Sequence, residues 1–131
     1  MKTLIAEDDF TSRMLLQELL KYHGLSHIAV NGKEAVEAVR LALEAGEPYD
    51  LICLDIMMPE MDGQQALREI RLIEENYGII HTNRARIVMT TALADKENVM
   101  KAVEGKCDHF LIKPIEKAKL LEMLRTFQLI I

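Results

Sequence analysis

The chain alternates short, continuously apolar runs with longer stretches in which apolar residues recur every three or four positions. The short runs are typical of strands in a parallel sheet whose two faces are both covered by helices. The longer stretches are typical of amphipathic helices. Five strands are predicted, at residues 3–6, 27–30, 51–55, 86–90 and 109–112.

An apolar stripe with helical spacing follows each predicted strand. Four stripes are clear and one, at 99–103, is weaker; the clear ones lie at residues 15–20, 36–43, 66–73 and 120–127. Five βα units in this order predict a single α/β domain with a mostly parallel sheet and right-handed crossovers. The apolar residues at 127–131 are expected to pack beside the last helix.

Composition narrows the class of protein. The 131 residues suit one domain that buries a core without disulfides, and the 50% hydrophobic content excludes a disordered chain. A net charge of -5 without basic runs argues against nucleic-acid binding. Cys53 and Cys107 are expected to be reduced, unrelated thiols. We expect a cytoplasmic protein with no membrane insertion, because no apolar run reaches membrane-spanning length.

Charged residues stand where three predicted strands end. Glu7-Asp8-Asp9 follows the first strand, Asp55 ends the third, and Lys113-Pro114 follows the fifth. Taken singly, the acidic triplet has an ordinary role at a helix N-terminus, and Lys113-Pro114 has one in a surface turn. In parallel sheets, however, ligands bind beyond the carboxyl ends of the strands. The coincidence predicts a site for a divalent cation and a phosphoryl group.

The residue types at this edge suit phosphoryl transfer. Clustered carboxylates repel one another, so their ionised form needs a cation, and oxygen ligands favour Mg²⁺. A carboxylate can attack phosphorus and become an acyl phosphate. A lysine and a threonine hydroxyl can then interact with the phosphoryl oxygens.

Four pieces of the sequence together resemble the receiver domain of two-component response regulators. They are Glu7-Asp8, Asp-Ile-Met-Met-Pro-Glu-Met-Asp-Gly at 55–63, Thr91-Ala92, and Lys113-Pro114. The resemblance covers essentially the whole chain, and the segment 55–63 is its most specific part. It implies a flavodoxin-like (βα)5 doubly wound sheet in the order 2-1-3-4-5. It also implies that residues 1–131 form one receiver domain without an output domain, similar to stand-alone chemotaxis regulators.

The resemblance implies a role for each acid at the site. Asp55 would accept a phosphoryl group from a sensor histidine kinase or a histidine phosphotransfer protein. Asp8 and Asp55 would bind Mg²⁺ directly, together with the backbone carbonyl of Met57. Glu7 would act on the cation through water.

One assignment within the acidic triplet stays open. Receivers often carry an arginine five residues after the second metal-binding acid, and Arg13 stands in that position relative to Asp8. This spacing favours Asp8 as the ligand, with Asp9 as the alternative.

The resemblance also implies a conformational switch. Lys113 and Thr91 would contact the phosphoryl group, with Ala92 as the small neighbour that leaves room for it. Phe110 takes the place of the switching aromatic, and Pro114 would follow a cis peptide bond. Movement of Thr91 and Phe110 would change the surface of helix four, strand five and helix five. That surface would bind a downstream protein target and is a candidate dimer contact.

Two apolar residues flank the expected phosphoryl site. Met57 lies two positions after Asp55, and Leu93 lies two positions after Thr91. Receiver residues at these positions influence how readily water attacks the acyl phosphate. We hypothesise that Met57 and Leu93 orient no water, so that the phosphorylated form is long-lived.

Other protein classes fit less well. A receiver is a signalling protein, not an enzyme, and catalyses only its own phosphorylation and slow dephosphorylation. An FMN-binding flavodoxin is disfavoured because Glu7-Asp8-Asp9 would repel phosphate after strand one. A phosphatase of the haloacid dehalogenase type needs a second acid where Met57 stands. The remaining alternative is a pseudo-receiver, a protein-interaction module that is not phosphorylated.

Overall fold

The computed structural model describes residues 1–92 and 95–131, which fold into five strands and five helices. The strands are β1 (Lys2–Ala6), β2 (Leu25–Ala29), β3 (Leu51–Asp55), β4 (Arg86–Thr91) and β5 (His109–Ile112). The helices are α1 (Phe10–Leu20), α2 (Gly32–Glu44), α3 (Gly63–Asn76), α4 (Lys96–Glu104) and α5 (Lys117–Thr126). Single 3₁₀ turns occupy Lys21–His23 and His81–Asn83.

All strand pairs are parallel, as the pattern predicts, and the sheet order is β2-β1-β3-β4-β5, as the resemblance to receivers implies. In the register of the sheet, Ala6 lies opposite Leu54, and Asp55 lies opposite Thr90. The carboxyl ends of β1, β3 and β4 therefore lie side by side. The residues that follow these strands are brought to one edge of the sheet.

The sheet separates two apolar clusters. Residues of α2, α3 and α4 pack on one face, and residues of α1 and α5 pack on the other. The central strand β3 contacts both clusters, so its residues are all buried. Burial raises the pKa of the Cys53 thiol to about 12, which leaves it a small apolar side chain, as predicted.

The chain end and the helix lengths bear on two further predictions. Phe127, Leu129 and Ile130 pack against the cluster beside α5, which confirms the expected position of the tail. Among the described residues, no helix combines the length and the apolar character that a membrane crossing requires.

The strand at the open edge of the sheet differs most from its prediction. β2 begins at Leu25 and ends at Ala29, where residues 27–30 were expected. Because β2 pairs only with β1, its start is set by the pairing of Lys2 with Leu25. Its side chains are largely exposed, so apolar character does not mark its limits.

A network of buried charged residues lies at the amino-terminal end of the sheet, and the apolar pattern does not indicate it. The Arg71 guanidinium on α3 donates to Glu74 and to Asp108, at 2.7 Å in each case, and to the Ala85 carbonyl at 2.8 Å. Glu74 accepts the Ala85 N–H, and Asp108 accepts the Ile87 N–H, both at 2.8 Å. The network joins α3 to the starts of β4 and β5.

Candidate functional site

The carboxyl edge of the sheet brings three acids together. Glu7, Asp8 and Asp55 each offer a carboxylate oxygen, and these oxygens all lie within 4.8 Å of one another. Glu7 and Asp55 are buried, whereas Asp8 is exposed. This clustering follows from the register, because β1 and β3 are neighbours that end at the same level.

The Asp9 side chain caps a helix and does not join the acidic cluster. Its carboxylate accepts the Ser12 N–H at 2.9 Å and caps the first turn of α1. Hydrogen bonds from the backbone and the side chain of Ser12 lower the pKa of Asp9. The cluster of acids thus includes Asp8 and not Asp9. Arg13 donates to the Glu7 carbonyl at 3.1 Å and so fixes the turn that carries the acids.

Lys113 enters the site from the end of β5. Its ammonium lies 2.5 Å from Glu7 Oε1 and 3.4 Å from Asp55 Oδ2. Burial lowers the pKa of Lys113, but its hydrogen bond with Glu7 and the charges of Asp55 and Glu7 outweigh that effect and raise it. The lysine is therefore charged. The Lys113–Pro114 peptide bond is cis, as predicted.

One lysine does not balance the two buried carboxylates. Burial, the hydrogen bond with Glu7 and the charge of Glu7 together raise the pKa of Asp55 to about 7, although Lys113 opposes the shift. An additional cation beside Asp8 would relieve this repulsion. The three acids offer carboxylate oxygens as ligands, and the exposed Asp8 places one of these ligands at the protein surface. This donor set fits Mg²⁺.

Backbone contacts shape the segment after Asp55. The Ile56 N–H donates to the Thr90 carbonyl at 3.0 Å, and the Gly63 N–H donates to the Ile56 carbonyl at 2.9 Å. A Cβ on Gly63 would lie 2.2 Å from the Asp55 carbonyl oxygen, so only glycine fits there. The Met57 side chain is 73% exposed.

The residues assigned to the switch lie along β4 and β5. Thr91 is the buried last residue of β4, one position later than the predicted end of the strand, and Ala92 is exposed directly after it. Phe110 lies opposite Met89 and packs, half-buried, against the core beneath α2, α3 and α4. Leu93 lies outside the described residues.

The family profile described as the response regulator receiver domain matches residues 3–125 of the chain. The chain belongs to the response regulator receiver family. Receivers are signalling domains of two-component systems and typically bind Mg²⁺, which agrees with the acidic cluster found here.

Similar proteins include short and long members of the family. The chain is 32% identical to the chemotaxis protein CheY of Bacillus subtilis, with 92% of each chain covered. It is also 32% identical to the osmosensing histidine protein kinase SLN1 of Saccharomyces cerevisiae, over 96% of this chain and 10% of that protein. The chain thus spans about a tenth of that kinase.

A solved receiver structure supports the same fold. The receiver domain of the histidine kinase CKI1 from Arabidopsis thaliana, complexed with Mg²⁺ and BeF3⁻, is 29% identical to this chain. The two structures superpose with a TM-score of 0.81, covering 97% of this chain and 89% of that one.

Sequence reasoning did not identify two glycines whose backbones closely approach the segment 55–62. Gly63 is the last residue of the segment 55–63. The reason that this position requires glycine is the close approach of Gly63 to the Asp55 backbone, which the sequence does not reveal. Gly32 belongs to an Asn-Gly pair that indicates the break between β2 and α2 and nothing more. Its contact with the segment after Asp55 depends on tertiary packing.

Proposed function

We propose that this receiver takes a phosphoryl group onto Asp55 from a sensor histidine kinase or a histidine phosphotransfer protein. Mg²⁺ would assist the transfer, and phosphorylation of Asp55 would change the surface of α4, β5 and α5, which controls a downstream protein. The observation that carries the proposal is the buried Asp55 carboxylate, set between Glu7, Asp8 and the charged Lys113. The names of its relatives, which include histidine kinases and a chemotaxis protein, support this role.

Each residue has a distinct part in the transfer. A carboxylate oxygen of Asp55 forms a bond to phosphorus while the bond from phosphorus to the donor imidazole breaks, and the leaving imidazole takes a proton. When bound by Asp8, Asp55 and the Met57 carbonyl, Mg²⁺ supplies charge stabilisation to the phosphoryl oxygens. Lys113 exchanges its contact with Asp55 for one with the phosphoryl group.

The pairing of β4 with β5 supports the proposed switch. Thr91 lies opposite Ile112, and the Lys113 N–H donates to the Thr91 carbonyl at 2.8 Å. A phosphoryl oxygen that accepts from the Thr91 hydroxyl therefore acts on β5 as well as on β4. Phe110, already half-buried, moves into the space beneath Thr91. The result is a two-state element that a charged modification biases.

The test of the proposal is phosphoryl uptake from acetyl phosphate with Mg²⁺, followed by intact mass. We expect a gain of one phosphoryl group in the parent and none in Asp55→Asn. Asp9→Asn is the matched control, because Asn also caps helices and Asp9 stands outside the acidic cluster. It should gain the group as the parent does. No gain in the parent, where a known receiver is modified, would favour the pseudo-receiver.

The phosphorylated protein is expected to be long-lived. The Met57 thioether is a weak hydrogen-bond acceptor and does not orient a water for attack on the acyl phosphate. Leu93 belongs to the same hypothesis. We expect the label on the purified protein to persist for hours, and Met57→Gln to shorten its half-life several-fold. Measurement of the label over time decides this, and loss from the parent within seconds would contradict it.

A surface of α1 is expected to recognise the protein phosphodonor. Phe10, Met14 and Leu15 are exposed apolar residues of this helix, which begins just beyond the acidic cluster. Met14→Glu should slow transfer from a cognate phosphodonor protein at least tenfold, because a charge would be buried in the complex.

A matched variant separates this effect from general loss of activity. Leu41→Glu changes a residue of similar exposure on α2, 54% against 50% for Met14. We expect it to leave transfer unchanged, and both variants to react normally with acetyl phosphate. Equal slowing of Met14→Glu with both donors would show damage to the site instead of lost recognition.

A further inference from the structure

The segment after Asp55 is braced by a helix that supplies none of the acids. We call residues 56–62 the acceptor loop. The N–H of Gly32, the first residue of α2, donates to the Met61 carbonyl in this loop at 2.9 Å. A Cβ on Gly32 would lie 2.2 Å from that carbonyl oxygen and 2.9 Å from Met61 Cβ. The backbone of α2 therefore touches the loop where only glycine fits.

The requirement for glycine comes from this close approach and not from the backbone conformation. Gly32 lies outside the left-handed region, unlike Gly24, Gly46 and Gly78. An alanine could adopt its helical conformation and would favour the helix. The Cβ of that alanine would, however, displace the Met61 carbonyl.

The acceptor loop holds an unfavourable conformation between two such contacts. Glu60 has a φ of 67°, in the region that side chains other than glycine rarely occupy. Its exposed carboxylate lies 4.0 Å from Lys33, which is too weak a contact to impose that conformation. The contacts at Gly63 and Gly32 lie on either side of the loop and over-determine its shape.

We propose that Gly32 is a positioning residue for the metal site. By holding Met61, it sets where the Met57 carbonyl lies relative to Asp8 and Asp55. The inference rests on the proposed function, in which that carbonyl is a ligand. Mg²⁺ demands near-ideal octahedral geometry, so a displaced carbonyl weakens binding although every ligand is still present. Groups that hydrogen-bond a metal ligand directly are typically worth 10- to 100-fold in metal affinity, and Gly32, which acts on the ligand through the loop, is expected at the lower end of that range.

The contact between Gly32 and Met61 and the binding of Mg²⁺ should stabilise each other. If the position of the loop raises Mg²⁺ affinity, then Mg²⁺ must equally stabilise the contact between Gly32 and Met61. The Gly32 amide proton should therefore exchange more slowly with Mg²⁺ than without it. Amides at the far end of α2, near Ala45, should show little change.

The test compares variants of two glycines, one at the start of α2 and one just beyond its end, by calorimetric Mg²⁺ titration. Gly32→Ala is expected to weaken Mg²⁺ binding about tenfold or more. Gly46→Ala is the control: Gly46 has a φ of 71° and nothing within 4 Å of an added Cβ. It should lose stability through backbone strain and keep the Mg²⁺ affinity of the parent.

The outcomes separate the two proposals. A parent that neither binds Mg²⁺ nor takes up a phosphoryl group would contradict the proposed function. A parent that does both, with Gly32→Ala matching its Mg²⁺ affinity, would overturn the role of Gly32 alone. Weakening of Gly46→Ala to the same degree would overturn it too, because general loss of stability would then explain the effect.

A second pair of variants covers the case in which Gly32→Ala does not fold. Glu60→Gly and Glu60→Gln remove the same charge, but only the glycine frees the backbone of the acceptor loop. Because the contacts at Gly32 and Gly63 fix the loop, we expect Mg²⁺ to bind the two variants with equal affinity. Binding to Glu60→Gly that is several-fold weaker than binding to Glu60→Gln would contradict a braced loop.

Discussion

Replacement of Arg71 by methionine is expected to lower the free energy of unfolding by about 3–5 kcal/mol, the typical cost of removing one partner from a buried ion pair. Methionine preserves most of the apolar volume, so the loss reflects charge and hydrogen bonding. Glu74 would stay buried with one hydrogen bond, from the Ala85 N–H. Asp108 would keep the hydrogen bond from the Ile87 N–H at 2.8 Å, but its remaining charged contacts would be the longer ones, to Arg84 at 3.8 Å and Arg86 at 3.5 Å.

Urea unfolding measures this loss, and thermal unfolding should show a drop of about 10 °C or more for a domain of this size. Arg40→Met is the matched control, because Arg40 forms an exposed pair with Glu37 one turn away on α2. Its effect should stay within about 0.5 kcal/mol. A loss below about 1 kcal/mol for Arg71→Met would show that the network contributes little to stability.

Replacement of Asp55 by asparagine is expected to stabilise the metal-free protein. The pKa of Asp55 is raised from 3.8 to about 7, so its ionised form is disfavoured in the folded state. A shift of this size corresponds to at most about 4 kcal/mol. Asparagine removes the charge but interacts less well with Lys113. We expect a net gain of about 1–3 kcal/mol at pH 8.

The gain should depend on pH with a definite sign. Between pH 3.8 and about 7, the folded parent binds more protons at Asp55 than the unfolded chain does. The contribution of Asp55 to stability therefore falls as pH rises through this window. The advantage of Asp55→Asn should be largest at pH 8 and shrink toward pH 4.

Urea unfolding in a chelator at several pH values tests the effect of Asp55→Asn. Asp9→Asn, which keeps a capping side chain, should differ little from the parent throughout. An Asp55→Asn protein that is less stable than the parent at pH 8 would contradict the claim that the ionised Asp55 carboxylate destabilises the folded state.

The cluster of acids could be predicted from local pattern, whereas the order of the strands was implied by the resemblance to receivers. Asp55 ends the apolar run of β3, and Lys113 follows the short run of β5. Parallel pairing then brings those ends together without further information. The limits of β2 could not be predicted in this way, because Ser26 and His27 interrupt its apolar pattern and its side chains are largely exposed.

Other features depend on residues that are distant in sequence. Arg71 and Asp108 are 37 positions apart, and an arginine on a helix is ordinarily solvent-exposed. The close contact of Gly32 with Met61 likewise joins separate elements. Between Asp8 and Asp9, the spacing to Arg13 favours Asp8, but the reason that Asp9 stands apart, its role as the cap of α1, needs the structure.

The most direct test of the phosphoacceptor role is to locate the phosphoryl group. The protein is treated with acetyl phosphate and Mg²⁺, and borohydride then reduces the acyl phosphate to an alcohol, which converts the modified aspartate to homoserine. Peptide mass mapping identifies the position. Homoserine at position 55, absent without acetyl phosphate, is the expected result. Homoserine at Asp8, Asp9 or Asp62 instead, or at no position, would contradict Asp55 as the phosphoacceptor.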